Sequence, residues 1–187
     1  SWMYDCRKIR SRVSPSWDRV FYSDTWMQQP LIDALGERKR VKYLPLGVNE
    51  LRWSPDASVK RKAKAVFAGT ITATRRHILH RLSLRGGRID IHGPRTDSAW
   101  GRWTTSTLSC AALQKLYRDH SIVLNLPRQP KTMNGLNLRS FEVPATQTIL
   151  MTPWTPDLEL QFNATQEVVA YRNWSEVPDL TRALLRD

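Results

Sequence analysis

Apolar and polar positions along this chain switch repeatedly between two periods. Short runs such as Val20-Phe21-Tyr22, Ala65-Val66-Phe67-Ala68 and Ile122-Val123-Leu124 are almost continuously apolar, as expected of strands covered on both faces. Between them lie longer stretches with apolar residues three and four apart, as expected of helices with one buried face. The pattern predicts strands at 18–22, 40–44, 65–70, 88–92, 122–126 and 149–152. It predicts helices at 25–35, closed by Gly36, and at 74–84, 108–119 and 175–185. Another helix should follow the Asn134-Gly135 turn, with Leu136, Leu138 and Phe141 available for burial and Pro144 near its far end. Leu44-Pro45-Leu46-Gly47 breaks the alternation and leads into a polar stretch containing Pro55.

Strand and helix in alternation imply an α/β fold with a parallel, Rossmann-like sheet flanked by helices. Right-handed crossovers then bring the turns at Gly69, Gly93, Pro127 and Gly135 to the carboxyl edge of one sheet, where open α/β folds bind ligands.

The 187 residues and their 41% apolar content suit one sizeable core and part of a second. No apolar run approaches the length of a transmembrane span. Cys6 and Cys110 are too few and too far apart for a disulfide frame or a zinc site, and no basic-then-apolar opening marks a secretory leader. A cytoplasmic location is therefore expected. The charge balance changes the picture more. Lys and Arg number 29 against 17 Asp and Glu, a formal +12, so an anionic partner is expected, with nucleic acid or an acidic membrane surface among the candidates. The densest basic run, 60–64, reads most simply as a solvated segment beside a strand.

Candidate chemistry concentrates at 134–145. A helix start beside a glycine exposes backbone N–H groups and the positive end of a helix dipole, a seat for phosphate formed here by Asn134, Gly135 and Asn137. Arg139 adds a two-pronged cation, and Glu142, one turn on, can accept from a ribose diol. The competing reading is an ordinary Arg139–Glu142 surface ion pair. Gly69 supplies a second turn, and Arg75 follows it closely enough to reach a phosphate. Asn125, a polar residue closing an apolar strand, serves either ligand or loop. Trp100 and Trp103 are candidates for stacking on a base or sugar, or for capping the core.

The succession Leu116-Tyr117, then Leu124-Asn125, the Asn134-Gly135 turn, Arg139-Ser140-Phe141-Glu142 and Pro144-Ala145 resembles the C-terminal domain of GT-B glycosyltransferases, in the group that includes spore-maturation-type proteins. The resemblance covers about residues 18 to 186. It implies that residues 1–47 are the tail of an N-terminal acceptor-side domain and 48–187 a nucleotide-sugar-binding domain. It implies a UDP-sugar-like donor as substrate, no cofactor and no metal, and it places His92 and Gly93 at the base pocket. A homodimer or partner domain would complete the cleft, with an exposed apolar patch around Trp17, Trp26 and Trp53 as its scar, the alternative being that these Trp close the small core. The alternatives are a non-catalytic nucleotide-binding module and a nucleic-acid-binding or DNA-glucosylating protein.

Two departures from the family pattern stand out. Thr146-Gln147 replaces a Cys-Gly-like pair, removing glycine's freedom from the helix-to-strand turn. Leu150 stands eight positions beyond Glu142, where many retaining members carry a second glutamate, so Glu142 is only a ribose-contact candidate.

Overall fold

The computed structural model describes residues 9, 11–85, 89–94, 107–127 and 134–186. Cys6, Trp100 and Trp103 fall outside that set. Two parallel sheets are formed. In the smaller, β1 (Val20–Tyr22) pairs with β2 (Val41–Tyr43), and α1 (Gln28–Leu35) crosses between them. Ile9, Tyr22, Leu31, Leu35 and Val41 make its core.

The larger sheet holds β3 (Lys62–Ala68), β4 (Ile89–His92), β5 (His120–Leu124), β6 (Ile149–Pro153) and β7 (Val169–Tyr171) in the order β4-β3-β5-β6-β7, with every pairing parallel. The connecting helices are α2 (Ala73–Leu84), α3 (Cys110–Arg118), α4 (Arg139–Ala145), α5 (Leu158–Gln161) and α6 (Val177–Leu184). Strand alternation divides the core. Ala65, Phe67, Ile122, Leu124 and Met151 face Leu79 and Leu82 of α2 and Val177 of α6. Val66, Ala68, Val123 and Leu150 face Tyr117 of α3, Val143 of α4, Leu158 and Trp53. Each fully buried Val, Leu, Ile, Phe or Met side chain among these contributes about 1.5 to 3 kcal/mol.

Most expected elements are present with shifted ends. The helix after Gly135 is shorter than expected: it starts at Arg139, so Leu136 and Leu138 precede it. Leu136 still packs on the core, whereas Leu138 is exposed. The expected strand at 40–44 is trimmed to β2 because residues 38–40 form a 3-10 turn. The basic run at 60–64 is not merely solvated. Arg61 donates to the carbonyls of Thr146 and Gln147, capping the end of α4, and Lys64 pairs with Asp90 at 3.1 Å. The anticipated Trp patch is not formed either. Trp53 is buried against Tyr117 at 5.6 Å between ring centroids, Trp26 packs on the small core, and Trp17 is half exposed.

Candidate functional site

The order in which strands are added to the large sheet reverses between β3 and β5: β3 leads outward to β4, and β5 leads the other way to β6 and β7. Crevices outside the carboxyl ends of strands at such a switch point are where open α/β sheets take ligands. Gly69 follows β3 there and Asn125 follows β5.

Arg139 opens α4 and turns its guanidinium onto this edge. Its Nε donates to the Tyr117 hydroxyl at 3.1 Å, one terminal nitrogen to Asn125 Oδ1 at 3.3 Å, and the other to the Ala68 carbonyl. All of these acceptors are uncharged. The surface ion pair with Glu142 is absent, and a charge fixed by neutral partners keeps its attraction for an anion. Arg75, from α2, donates to the carbonyls of Thr70 at 2.8 Å and Leu126 at 2.5 Å. Both guanidiniums rest near the Phe67 ring, 5.5 Å from its centroid for Arg75 and 5.7 Å for Arg139. Aromatic packing and carbonyl contacts thus hold two positive charges side by side at the switch point.

Next to them lies a cavity of about 590 Å³ walled by Arg75, Tyr117, Asn137, Arg139 and Glu142 on one side and by Ser23, Asp24, Met27 and Leu46 on the other. Burial raises the Glu142 carboxyl above its ordinary range, with Arg139 pulling the other way. Tyr117 is likewise raised by burial against the opposing charge of Arg139.

The remaining sequence candidates fall into distinct places. Asn125 is buried and fully engaged: its amide nitrogen donates to Thr152 Oγ1 at 3.1 Å, and its oxygen accepts from Asn137 Nδ2 at 3.0 Å as well as from Arg139. It sets the position of Arg139 and lies behind the cavity wall. Gly69 and Gly93 meet backbone to backbone. Gly69 N–H donates to the His92 carbonyl at 2.9 Å, and a Cβ on Gly93, which has φ 137°, would sit 2.2 Å from the Gly69 carbonyl oxygen. Gly93 is therefore required by packing, and His92, its pKa lowered by burial, stands beside the Gly69 turn rather than on the Arg139–Glu142 cavity.

Asn134 and Gly135 are bound to the opposite wall. Asp24 Oδ1 accepts from Asn134 N–H at 3.2 Å and from Trp26 N–H at 3.0 Å. Asn134 Nδ2 donates to Thr25 Oγ1 at 3.1 Å, Thr25 N–H donates to Asp157 Oδ2 at 2.9 Å, and the Thr25 hydroxyl donates to Asp157 Oδ1. A Cβ on Gly135 would lie 2.7 Å from Asp24 Cβ, so glycine there admits the small unit to the edge of the cleft. Sequence reading missed Asp24, Thr25 and Asp157. Local pattern marks Asp24 and Asp157 only as residues ahead of short turns, while their partners lie more than a hundred residues away. Among the described residues no group of three or more His, Cys, Asp or Glu gathers as a metal site, and no helix is long and apolar enough to cross a membrane.

Solved structures share this architecture. The chain superposes on HepE of Anabaena, solved with UDP and glucose, with a TM-score of 0.71 and 11% identity over 98% of this chain and 58% of that one. Sucrose-phosphate synthase from Thermosynechococcus elongatus gives 0.68 and 12% over 97% and 52%. The C-terminal domain of a group 1 glycosyl transferase from Francisella tularensis gives 0.51 and 12% over 75% and 89%. The chain thus spans between half and three fifths of the length of the first two. No curated protein matches it. The glycosyl transferase-like family model matches residues 73–187, which carry the α2 to α6 half of the sheet and both guanidiniums, and by that match the chain belongs to this family.

Proposed function

We propose that the chain binds a nucleoside-diphosphate sugar, of the UDP-sugar kind, in the Arg139–Glu142 cavity and transfers its sugar to an acceptor. The observation that carries this reading is the Arg139 guanidinium, held by the neutral Tyr117, Asn125 and Ala68 acceptors at the switch point, with the Arg75 guanidinium and Glu142 on the same cavity wall. In this reading Arg139 and Arg75 hold the diphosphate, and their charge counts most as the leaving diphosphate gains negative charge. Glu142 takes the ribose diol. Residues 48–187 form the donor-binding unit and residues 1–47 a part of the acceptor side, a division supported by the separate core of the small sheet. The nucleic-acid alternative draws less support, because Arg61 and Lys64 of the densest basic run are committed to protein contacts.

Calorimetry with UDP tests the reading. Arg139→Ala should weaken binding by about 1.5 to 3 kcal/mol, the range for hydrogen bonds to a charged group. Arg139→Lys, which keeps the charge and loses the fork, should fall between the two. Glu142→Gln should weaken UDP more than dUDP, since the lost acceptor serves the diol. Unchanged UDP affinity in both Arg139 variants would remove that residue from the site, and release of UDP from a UDP-sugar separates a transferase from a binding module.

A further inference from the structure

Asp24 differs from Glu142, the other acid that lines the cleft among the described residues. It is only 5% exposed, yet it lines the cavity from the small unit, across from the arginines and Glu142. Its Oδ1 is occupied by the N–H groups of Trp26 and Asn134, while Oδ2 is shut from solvent and makes no hydrogen bond of full geometry among the described residues; the Gly135 N–H also lies near the carboxylate, and burial raises the carboxyl above its ordinary range. A buried carboxylate oxygen left without a donor costs free energy, so it favours a ligand that brings one. The chemistry of that ligand is constrained. A phosphate oxygen would be repelled, and a divalent cation needs several oxygen ligands, whereas among the described residues no group of three or more His, Cys, Asp or Glu gathers here to hold one. A neutral O–H donor remains. The cavity runs from the two guanidiniums to Asp24, and Met27 and Leu46 beside Asp24 offer apolar surface of the kind that packs on the C–H face of a sugar ring.

Building on the donor reading above, we propose that Asp24 Oδ2 accepts a hydroxyl of the transferred sugar and thereby helps set which sugar the cleft takes. With the diphosphate on Arg139 and Arg75, the sugar attached to it extends toward the Asp24 wall. Asp24 packs against the Gly135 backbone and its Oδ2 is shut from solvent, so the hydroxyl enters as the small unit shifts away from the Asn134-Gly135 turn. Among the described residues that unit is hydrogen-bonded to the turn through Asp24–Asn134 and Thr25–Asn134, and to the α5 end through Thr25–Asp157 and Tyr43–Gln161, contacts that a ligand bridging the cleft can replace.

The test is calorimetry of UDP and of UDP-glucose, UDP-galactose and UDP-N-acetylglucosamine on the full chain, its Asp24→Asn variant and its Asp24→Ala variant, with a melting temperature for each protein. Asp24→Asn keeps the acceptor for Trp26 and Asn134 N–H and preserves the fold even where Asp24→Ala does not. The expected result is UDP affinity within about twofold of wild type and a loss of about tenfold or more for the preferred UDP-sugar, the lower end of the range for a charged hydrogen bond. Equal losses for UDP and UDP-sugar would overturn the proposal and leave Asp24 as a strut for the Asn134 loop. Unchanged affinity for both would also overturn it, as would a defect confined to the KM of an acceptor. A wild-type chain that binds UDP but gains nothing from the sugar refutes this inference alone, whereas one that binds no nucleotide refutes the donor reading beneath it.

Discussion

Gln147 occupies left-handed backbone, φ 56°, the one described non-glycine residue with positive φ. That conformation costs an L residue about 1 to 2 kcal/mol. Gln147 therefore carries in this helix-to-strand turn a conformation that glycine would adopt without that cost. Neighbouring bonds hold it in place: Arg61 donates to the carbonyls of Thr146 and Gln147, and Thr146 Oγ1 donates to the Val143 carbonyl at 2.8 Å. Gln147→Gly should accordingly stabilise the protein by about 1 kcal/mol, raising Tm by about 2 to 4 °C for a chain of this size. A thermal melt with Tm unchanged or lower would show that the Gln147 side chain repays its strain. Similar local accounting explains Arg139, which is ready to bind an anion because Tyr117, Asn125 and Ala68 have already fixed its rotamer with neutral acceptors.

Strands β4, β3 and β5 are tied together near their amino ends, away from the cleft, by one polar cluster. Asp90 of β4 accepts from Lys64 of β3 at 3.1 Å and lies 3.0 Å from Nε2 of His120, the fully buried first residue of β5, whose Nδ1 lies 2.8 Å from the Leu116 carbonyl. Burial alone would raise the Asp90 carboxyl, but the hydrogen bonds from His120 and Lys64 outweigh it and leave the group below its ordinary 3.8. A carboxyl depressed in the folded state stabilises it fully above the unfolded value and loses that contribution as pH falls through the folded one. Asp90→Asn should therefore cost about 1 to 3 kcal/mol near neutral pH, with the gap to wild type closing below about pH 4. Urea melts between pH 3 and 7 check this, and a gap independent of pH would mean that shape, not charge, joins these strands.

Over the whole molecule, two parallel sheets meet at a cleft, and the small one supplies a narrow wall of Ser23, Asp24, Met27 and Leu46. Parallel sheets are normally covered on both faces. Here Phe21 of β1 is 55% exposed and its register partner Lys42 is exposed as well, so one face of the small sheet is open to a neighbour. Glycosyl transfer requires an acceptor oriented against the donor and water kept out. The 187-residue chain is accordingly expected to bind UDP-sugar yet to turn it over far more slowly than about 1 per second, unless a second copy or another protein domain faces the cleft. Sedimentation and turnover measured on one sample decide this. A strict monomer transferring sugar at that rate would place both walls within these residues.

The type and order of elements were legible in the amino-acid sequence because burial on two faces or on one leaves periods of two and 3.6 in the residues themselves. From that alternation followed the parallel sheet and the turns on its carboxyl edge, and the 134–145 cluster singled out Arg139 and Glu142, which the fold brings to one cavity wall. Partnership was not legible. Asn134 meets Asp24 across 110 positions and Thr25 meets Asp157 across 132, and no local period records such a pairing. Asn125 proved a buttress of Arg139, Arg61 a helix cap and Gly135 a point of entry for the small unit, each through atoms brought close only by the folded chain. Hydrogen bonds act over about 3 Å, so what a polar side chain does depends on which distant segment packing carries within that reach.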